Sequence, residues 1–213
     1  MITAAMKPKQ TKASHLSKAG DAQLRPELPI IAFASADEFS QWLDQHHAGH
    51  PGIWMRIYKK AAGRPTVTYA EALDIALCYG WIDGQKQRGD EETFLQKFTS
   101  RRARSEWSKI NVGHVERLTR AGQMKAAGIA AVEAAKGDGR WERAYSSFSS
   151  AEPPADFIQA LAKFPKAAAF FNTLSKTNRY AILYRLETAK RPETRARRLV
   201  DLVAMLKRGE KFH

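Results

Sequence analysis

The chain has 213 residues, 44% of them hydrophobic, and its 35 lysines and arginines outnumber 22 acidic residues for a formal net charge of +13. That apolar content supports a packed core and excludes global disorder, while the basic balance favours anionic partners: nucleic acid, anionic lipid or anionic metabolites. The single cysteine, Cys78, excludes a scaffold stapled by intramolecular disulfides.

In chain order, residues 1–28 are polar, lysine-bearing and aperiodic, which predicts a flexible basic arm. Met1 to Pro29 lacks the continuous apolar segment of a signal peptide. No later apolar run approaches the length of a membrane-spanning helix, so a cytoplasmic location is expected. Order should begin at Leu28–Phe33 as an extended or edge strand. Ser35 and Glu38 have capping-box spacing, and Phe39, Trp42, Leu43 and His46 follow at helical intervals. His46, His47 and His50 invite a metal reading, but Gly49 and Pro51 interrupt the helix, so unliganded surface histidines and no metal are expected.

Ile53–Lys60 alternates as a strand with 53, 55 and 57 on its apolar face. Thr68 and Glu71 form a second capping box, and Gly80 suits the left-handed position that closes the helix between them. Cys78 reads as a buried small hydrophobe of that helix. Trp81–Arg88 and Thr93–Phe98 read as a hairpin. Ser105 is expected to cap the next helix, whose face is Trp107, Ile110, Asn111, His114 and Leu118, with Gly122 as its stop. An alanine-rich helix over 123–136 precedes an aromatic-bearing Gly/Ser/Pro linker, and all that follows is helical. The expected fold class is α+β, a small antiparallel sheet flanked by helices, then an all-helical C-terminal subdomain. The expected parts are an arm at 1–28, an α+β domain at 29–140 and a helical subdomain at 150–213.

Chemistry concentrates between Leu77 and Asn111. Arg101, Arg102 and Arg104 precede Ser105, and a helix start with arginines before it can hold an anion through free amides and bidentate donors. Trp81 and Asp83 share a strand face, and Trp107 and Asn111 share a helix face. Trp81, Asp83, Arg101, Arg102, Ser105, Trp107 and Asn111 are therefore the candidate ligand-binding residues of a net-positive, aromatic-walled cleft. The competing reading makes Asp83 an ion-pair partner of one arginine and the tryptophans plain core. P-loop, GxGxxG, GxSxG and paired-cysteine patterns are missing, so no cofactor is expected and no catalytic residue is assigned. A basic patch at Lys190, Arg191, Arg195, Arg197 and Arg198 is interleaved with Glu187, Glu193 and Asp201 and reads as a solvated or internally paired face.

With these motifs the chain resembles the bacterial YdeI/OmpD-associated, or bacteriocin-protection, family. The resemblance is carried by Ala76–Asp83, by Phe98–Arg101 with Ser105–Ser108 and Asn111, by Leu174-Ser175 and by Ala189–Arg198. It extends over nearly everything after the arm, with a YdeI-like domain at 29–140 and an OmpD-associated-like subdomain at 150–213. It implies envelope-stress or antimicrobial-peptide and bacteriocin protection without an established reaction. The resulting expectation is a non-enzymatic protein that binds a small anionic ligand or an envelope-associated protein. Nucleic-acid binding through the basic surface and an enzyme built on Asp83 and its arginines are the alternatives. Oligomeric state is left open.

Overall fold

A computed structural model describes residues 27–213. The expected arm at 1–28 lies almost wholly outside the described residues. β1 (Ile30–Ala32) leads through α1 (Ala36–His46) to β2 (Ile53–Tyr58). α2 (Tyr69–Cys78) then precedes the hairpin of β3 (Trp81–Arg88) and β4 (Thr93–Ser100). The sheet order is β1-β2-β4-β3. β2, β4 and β3 are antiparallel neighbours, as the hairpin predicts, but β1 runs parallel to β2 and makes the sheet mixed. The reason is the connection: α1 returns the chain to the starting edge, and such a crossover yields a parallel neighbour.

Both helix starts are capped. Thr68 Oγ1 accepts from the Glu71 amide at 3.3 Å while Glu71 Oε2 accepts from the Thr68 amide at 2.8 Å. The Thr68 amide, together with the Thr68 hydroxyl donating to the same Oε2 at 2.7 Å, holds the Glu71 carboxyl below its ordinary range. At α1, Ser35 accepts from the Glu38 amide, but Glu38 reaches one residue further back, to the Ala34 amide at 2.7 Å.

One face of the sheet is covered by helices. Ile53, Met55 and Ile57 alternate into this core, where Phe39, Leu43, Leu77, Trp81 and Phe98 meet them. Gln96 is buried among them because its amide donates to the Gly84 carbonyl at 2.9 Å, where the β3–β4 register shifts. The edge of α2 packs on α3 (Lys109–Arg120) through Asp74, which takes bonds from Arg117 and from the His114 ring.

Ser105 does not cap α3. The chain turns there, with the Ser105 amide donating to the Arg102 carbonyl. Trp107 is then buried and its carbonyl accepts from the Tyr145 amide. That pairing keeps the backbone extended through Ser108, so α3 starts only at Lys109, and Ser108 Oγ accepts from the Asn111 amide at 3.2 Å. α4 (Ala126–Gly137) follows, three residues later than its pattern predicts.

The C-terminal unit has α5 (Ala155–Ala162), α6 (Pro165–Thr173), α7 (Lys176–Glu187) and α8 (Pro192–Lys207). Its core is separate, built on Phe157, Phe171, Ile182, Leu186, Leu202 and Leu206. Asp156 at the start of α5 accepts from both terminal nitrogens of Arg195, the bond to Nη2 measuring 3.0 Å. The guanidinium holds the Asp156 carboxyl below the usual carboxylate range. A depressed folded-state pKa stabilises above the unfolded value and loses that contribution as pH falls through the folded one. Acid titration of thermal stability should therefore show a decline below the ordinary aspartate range. The decline should be shallower in Asp156→Asn, and an unchanged acid limb would remove the pair from this role.

Candidate functional site

A cleft of about 360 Å³ opens where the α+β unit meets the helical one. α2 and β3 contribute Tyr69, Ile82 and Asp83; the segment after β4 contributes Arg101 and Glu106; α3 contributes Ile110 and Asn111. Tyr145, Ser147 and Phe148 of the connecting segment and Tyr180 of α7 close the other side.

The seam holding this cleft is polar and well paired. Glu187 accepts from the Ser146 amide at 2.9 Å and from Ser146 Oγ at 2.7 Å. Tyr180 Oη donates to the Ser146 carbonyl, and Lys109 Nζ donates to Ser146 Oγ. Glu106 pairs with Lys190 at 3.0 Å. The rings of Tyr145 and Tyr184 meet edge to face at 5.0 Å.

Arg101 carries the distinctive geometry. Its guanidinium carbon sits 3.5 Å from the Trp107 ring centroid, and Nη1 donates to the Glu106 carbonyl at 3.2 Å. Nε is buried without a partner, as is the indole nitrogen of Trp107 beneath it. A buried donor left unpaired costs about 1–3 kcal/mol, which makes such a group conspicuous in a native fold. Burial pushes the Arg101 pKa down to about 10, against the opposing pull of Tyr145 and Asp83, and leaves it cationic at neutral pH.

Asp83 leaves β3 on the helix-covered face, opposite Phe98. Its Oδ2 accepts from Tyr69 Oη at 2.8 Å, and among the described residues it forms no ion pair with an arginine. Burial and the Asp83 carboxylate raise the Tyr69 pKa, so this hydroxyl stays protonated and serves as a donor. Tyr145 and Tyr180 are raised by burial as well, the latter to about 12.

Asp83, Arg101 and Asn111 therefore come together, and four other candidate residues do not. Trp81 is fully buried and spends its indole N–H on the His47 carbonyl at 3.0 Å. Trp107 is core and forms the platform beneath Arg101. Arg102 is exposed and outside the cleft. Ser105 offers no helix-start amides, and its carbonyl is occupied by Arg140 Nη1 at 2.9 Å. With Arg101 facing Asp83 and Glu106, the lining is closer to charge balance than a net-positive cleft. The tyrosines and Phe148 were missed as site residues. Only Tyr145 and Phe148 carried a sequence signal, as aromatic residues in a linker otherwise rich in small and polar ones; Tyr69 and Tyr180 lie in helices and gave none.

His46 and His47 engage their own helix, and His50 Nδ1 accepts from the Gly52 amide. His46 Nδ1 and His47 Nδ1 lie 2.7 and 2.8 Å from the Trp42 and Leu43 carbonyls. Among the described residues no group of three or more His, Cys, Asp or Glu is arranged to hold a metal. No helix among them is long and apolar enough to cross a membrane.

Comparison with known families divides the chain at this seam. Residues 150–209 match the family described as Bacteriocin-protection, YdeI or OmpD-Associated (OmdA). The helical unit is similar to the OmdA family over that segment. Residues 31–131 match a different family, described as Domain of unknown function (DUF8412). The resemblance drawn over both halves is thus met by the OmdA family in the C-terminal half, while the N-terminal half matches a second model. No curated protein and no solved structure matches the chain. Tyr145, Ser147 and Phe148 lie between the two matched segments, and Tyr180 lies inside the OmdA one.

Proposed function

We propose that this is a non-enzymatic cytoplasmic protein of bacterial envelope-stress and antimicrobial-peptide or bacteriocin protection, working by binding a small anionic ligand in the seam cleft. The OmdA match supports protection in general, and the single-cysteine composition suits a reducing compartment. The observation that carries the ligand is Arg101: a cation held on an aromatic platform in the wall of a cleft. An incoming carboxylate or phosphate pairs with the part of the Arg101 guanidinium that lines the cleft. Tyr145, Phe148 and Tyr180 favour a ligand with a ring or apolar body, and Asp83 favours one with a hydroxyl or amine at its far end.

The reading is tested in cells. A strain lacking the gene is complemented with the parent, Arg101→Ala or Arg102→Ala and challenged with a cationic antimicrobial peptide. Loss of a charged hydrogen-bond partner weakens binding by roughly 10- to 100-fold, so Arg101→Ala should fail to restore survival at equal protein level. Arg102→Ala, which lies outside the cleft, should restore it. Full protection by Arg101→Ala would refute the reading.

A further inference from the structure

The four-stranded sheet has a second face, along whose middle β2 and β4 set aromatic and cationic side chains side by side. Trp54, Arg56 and Tyr58 alternate with the buried Ile53, Met55 and Ile57, so they project away from the helices. The register sets Lys97 of β4 directly beside Trp54 and Leu95 beside Arg56. None of these five side chains is fully buried, and none belongs to the hydrophobic core. Lys97 Nζ lies 5.7 Å from the Trp54 ring centroid, and the Arg64 guanidinium lies 5.3 Å from that of Tyr58. The result is a row of aromatic, cation, aromatic, with a further cation against each ring.

The charges that the strands themselves place on this face are positive. Among the described residues, Asp83 is the only acidic residue in the four strands, and it points to the opposite, helix-covered side. Arg56 and Lys97 form no ion pair within 4 Å among the described residues, but the Asp90 carboxylate, held by Thr93 Oγ1, feels the Arg56 charge, and Asp90 with Glu92, which pairs with Arg64 at 3.6 Å, forms the acidic border at the Tyr58 end. The whole chain carries +13. Flat rings serve any base, because every base has a π-face, and cations between the rings meet the phosphates. A regular duplex keeps its bases stacked inward and cannot use the rings.

We propose that the open sheet face is a binding platform for single-stranded nucleic acid, with bases stacking on Trp54 and Tyr58 and the backbone meeting Arg56 and Lys97. It is separate from the seam cleft and does not depend on the ligand assigned there. Sequence preference should be weak, since stacking and phosphate contacts carry little base information.

The experiment measures binding of the full chain to labelled 20-nucleotide oligo(U), oligo(dT) and an unrelated duplex over a salt series. Both single strands should bind more tightly than the duplex and quench tryptophan fluorescence. The RNA and DNA arms show whether the 2′-hydroxyl adds anything. Trp54→Ala should weaken single-strand binding roughly 5- to 150-fold. Arg56→Ala should flatten the log–log salt slope by about 0.7. Where Trp54→Ala does not fold, Arg56→Glu with Lys97→Glu reads the same surface, with binding lost and circular dichroism retained. Arg101→Ala should bind the oligonucleotides like the parent. Duplex bound as tightly as single strands, no binding at low salt, or loss confined to an Arg191→Ala/Arg197→Ala variant would each overturn the proposal.

Discussion

Replacing Trp81 by alanine is expected to cost about 3–5 kcal/mol, the range for truncating a large buried aromatic. Trp81 has no exposed surface, its ring meets Trp42 edge to face at 5.8 Å, and its N–H satisfies the His47 carbonyl just past the end of α1. Truncation empties a core site and strands that carbonyl at the same time. α1 cannot close the gap without disturbing the packing of Phe39 and Leu43, which share this core. Urea unfolding should show a midpoint far below the parent's, whereas Trp81→Phe should fall between the two. A Trp81→Ala protein within 1 kcal/mol of the parent would mean that the core repacks freely there.

The second large effect is expected at Gly128, where alanine should destabilise by about 3 kcal/mol or more, the upper part of the range for overpacking a rigid site. A Cβ there would sit 2.2 Å from the Cys78 carbonyl oxygen and 2.9 Å from that of Leu77. Both are backbone atoms at the end of α2, and the Cys78 oxygen already accepts from the Lys125 amide at 3.1 Å. Nothing flexible can move aside, so α4 must lift from α2. Alanine ordinarily favours helix over glycine by about 1 kcal/mol, so the two effects oppose and the clash should win. Thermal unfolding decides the sign: a higher midpoint in Gly128→Ala would show that the close approach is not a constraint. Gly113 offers the matched control, since its added Cβ meets nothing within 4 Å, and alanine there should stabilise.

What the sequence disclosed follows from how local each signal is. Alternation at Ile53–Tyr58 and the Thr68–Glu71 spacing depend on near neighbours, and the structure reproduces both. The hairpin was legible for the same reason. Ser105 and Ser108 are both competent caps by residue type, and choosing between them required the pairing of Trp107 and Ser108 with Tyr145, some 37 residues away in the case of Ser108. The site divides in the same manner. Asp83, Arg101 and Asn111 were identified from their neighbourhoods and do share a cleft. Assigning Arg101 rather than Arg102 to the cleft depended on which guanidinium stacks on Trp107, and no spacing rule encodes that. The tyrosine wall depends on how the helical unit docks, through Glu187 and Ser146, and contacts between separate units leave no periodicity to read.

The central claim is that Arg101 is a binding group rather than a structural one, and thermal unfolding with and without 4-hydroxybenzoate tests it most directly. This probe offers a carboxylate for Arg101, a ring for the tyrosines and a hydroxyl for Asp83. The parent's midpoint should rise with probe concentration, as linkage requires for a ligand of the native state. Arg101→Ala should remain folded, with a midpoint roughly 2–4 °C lower from loss of the contact with Trp107, and should not respond to the probe. An equal probe-induced rise in parent and Arg101→Ala, or collapse of the unliganded variant, would contradict the claim.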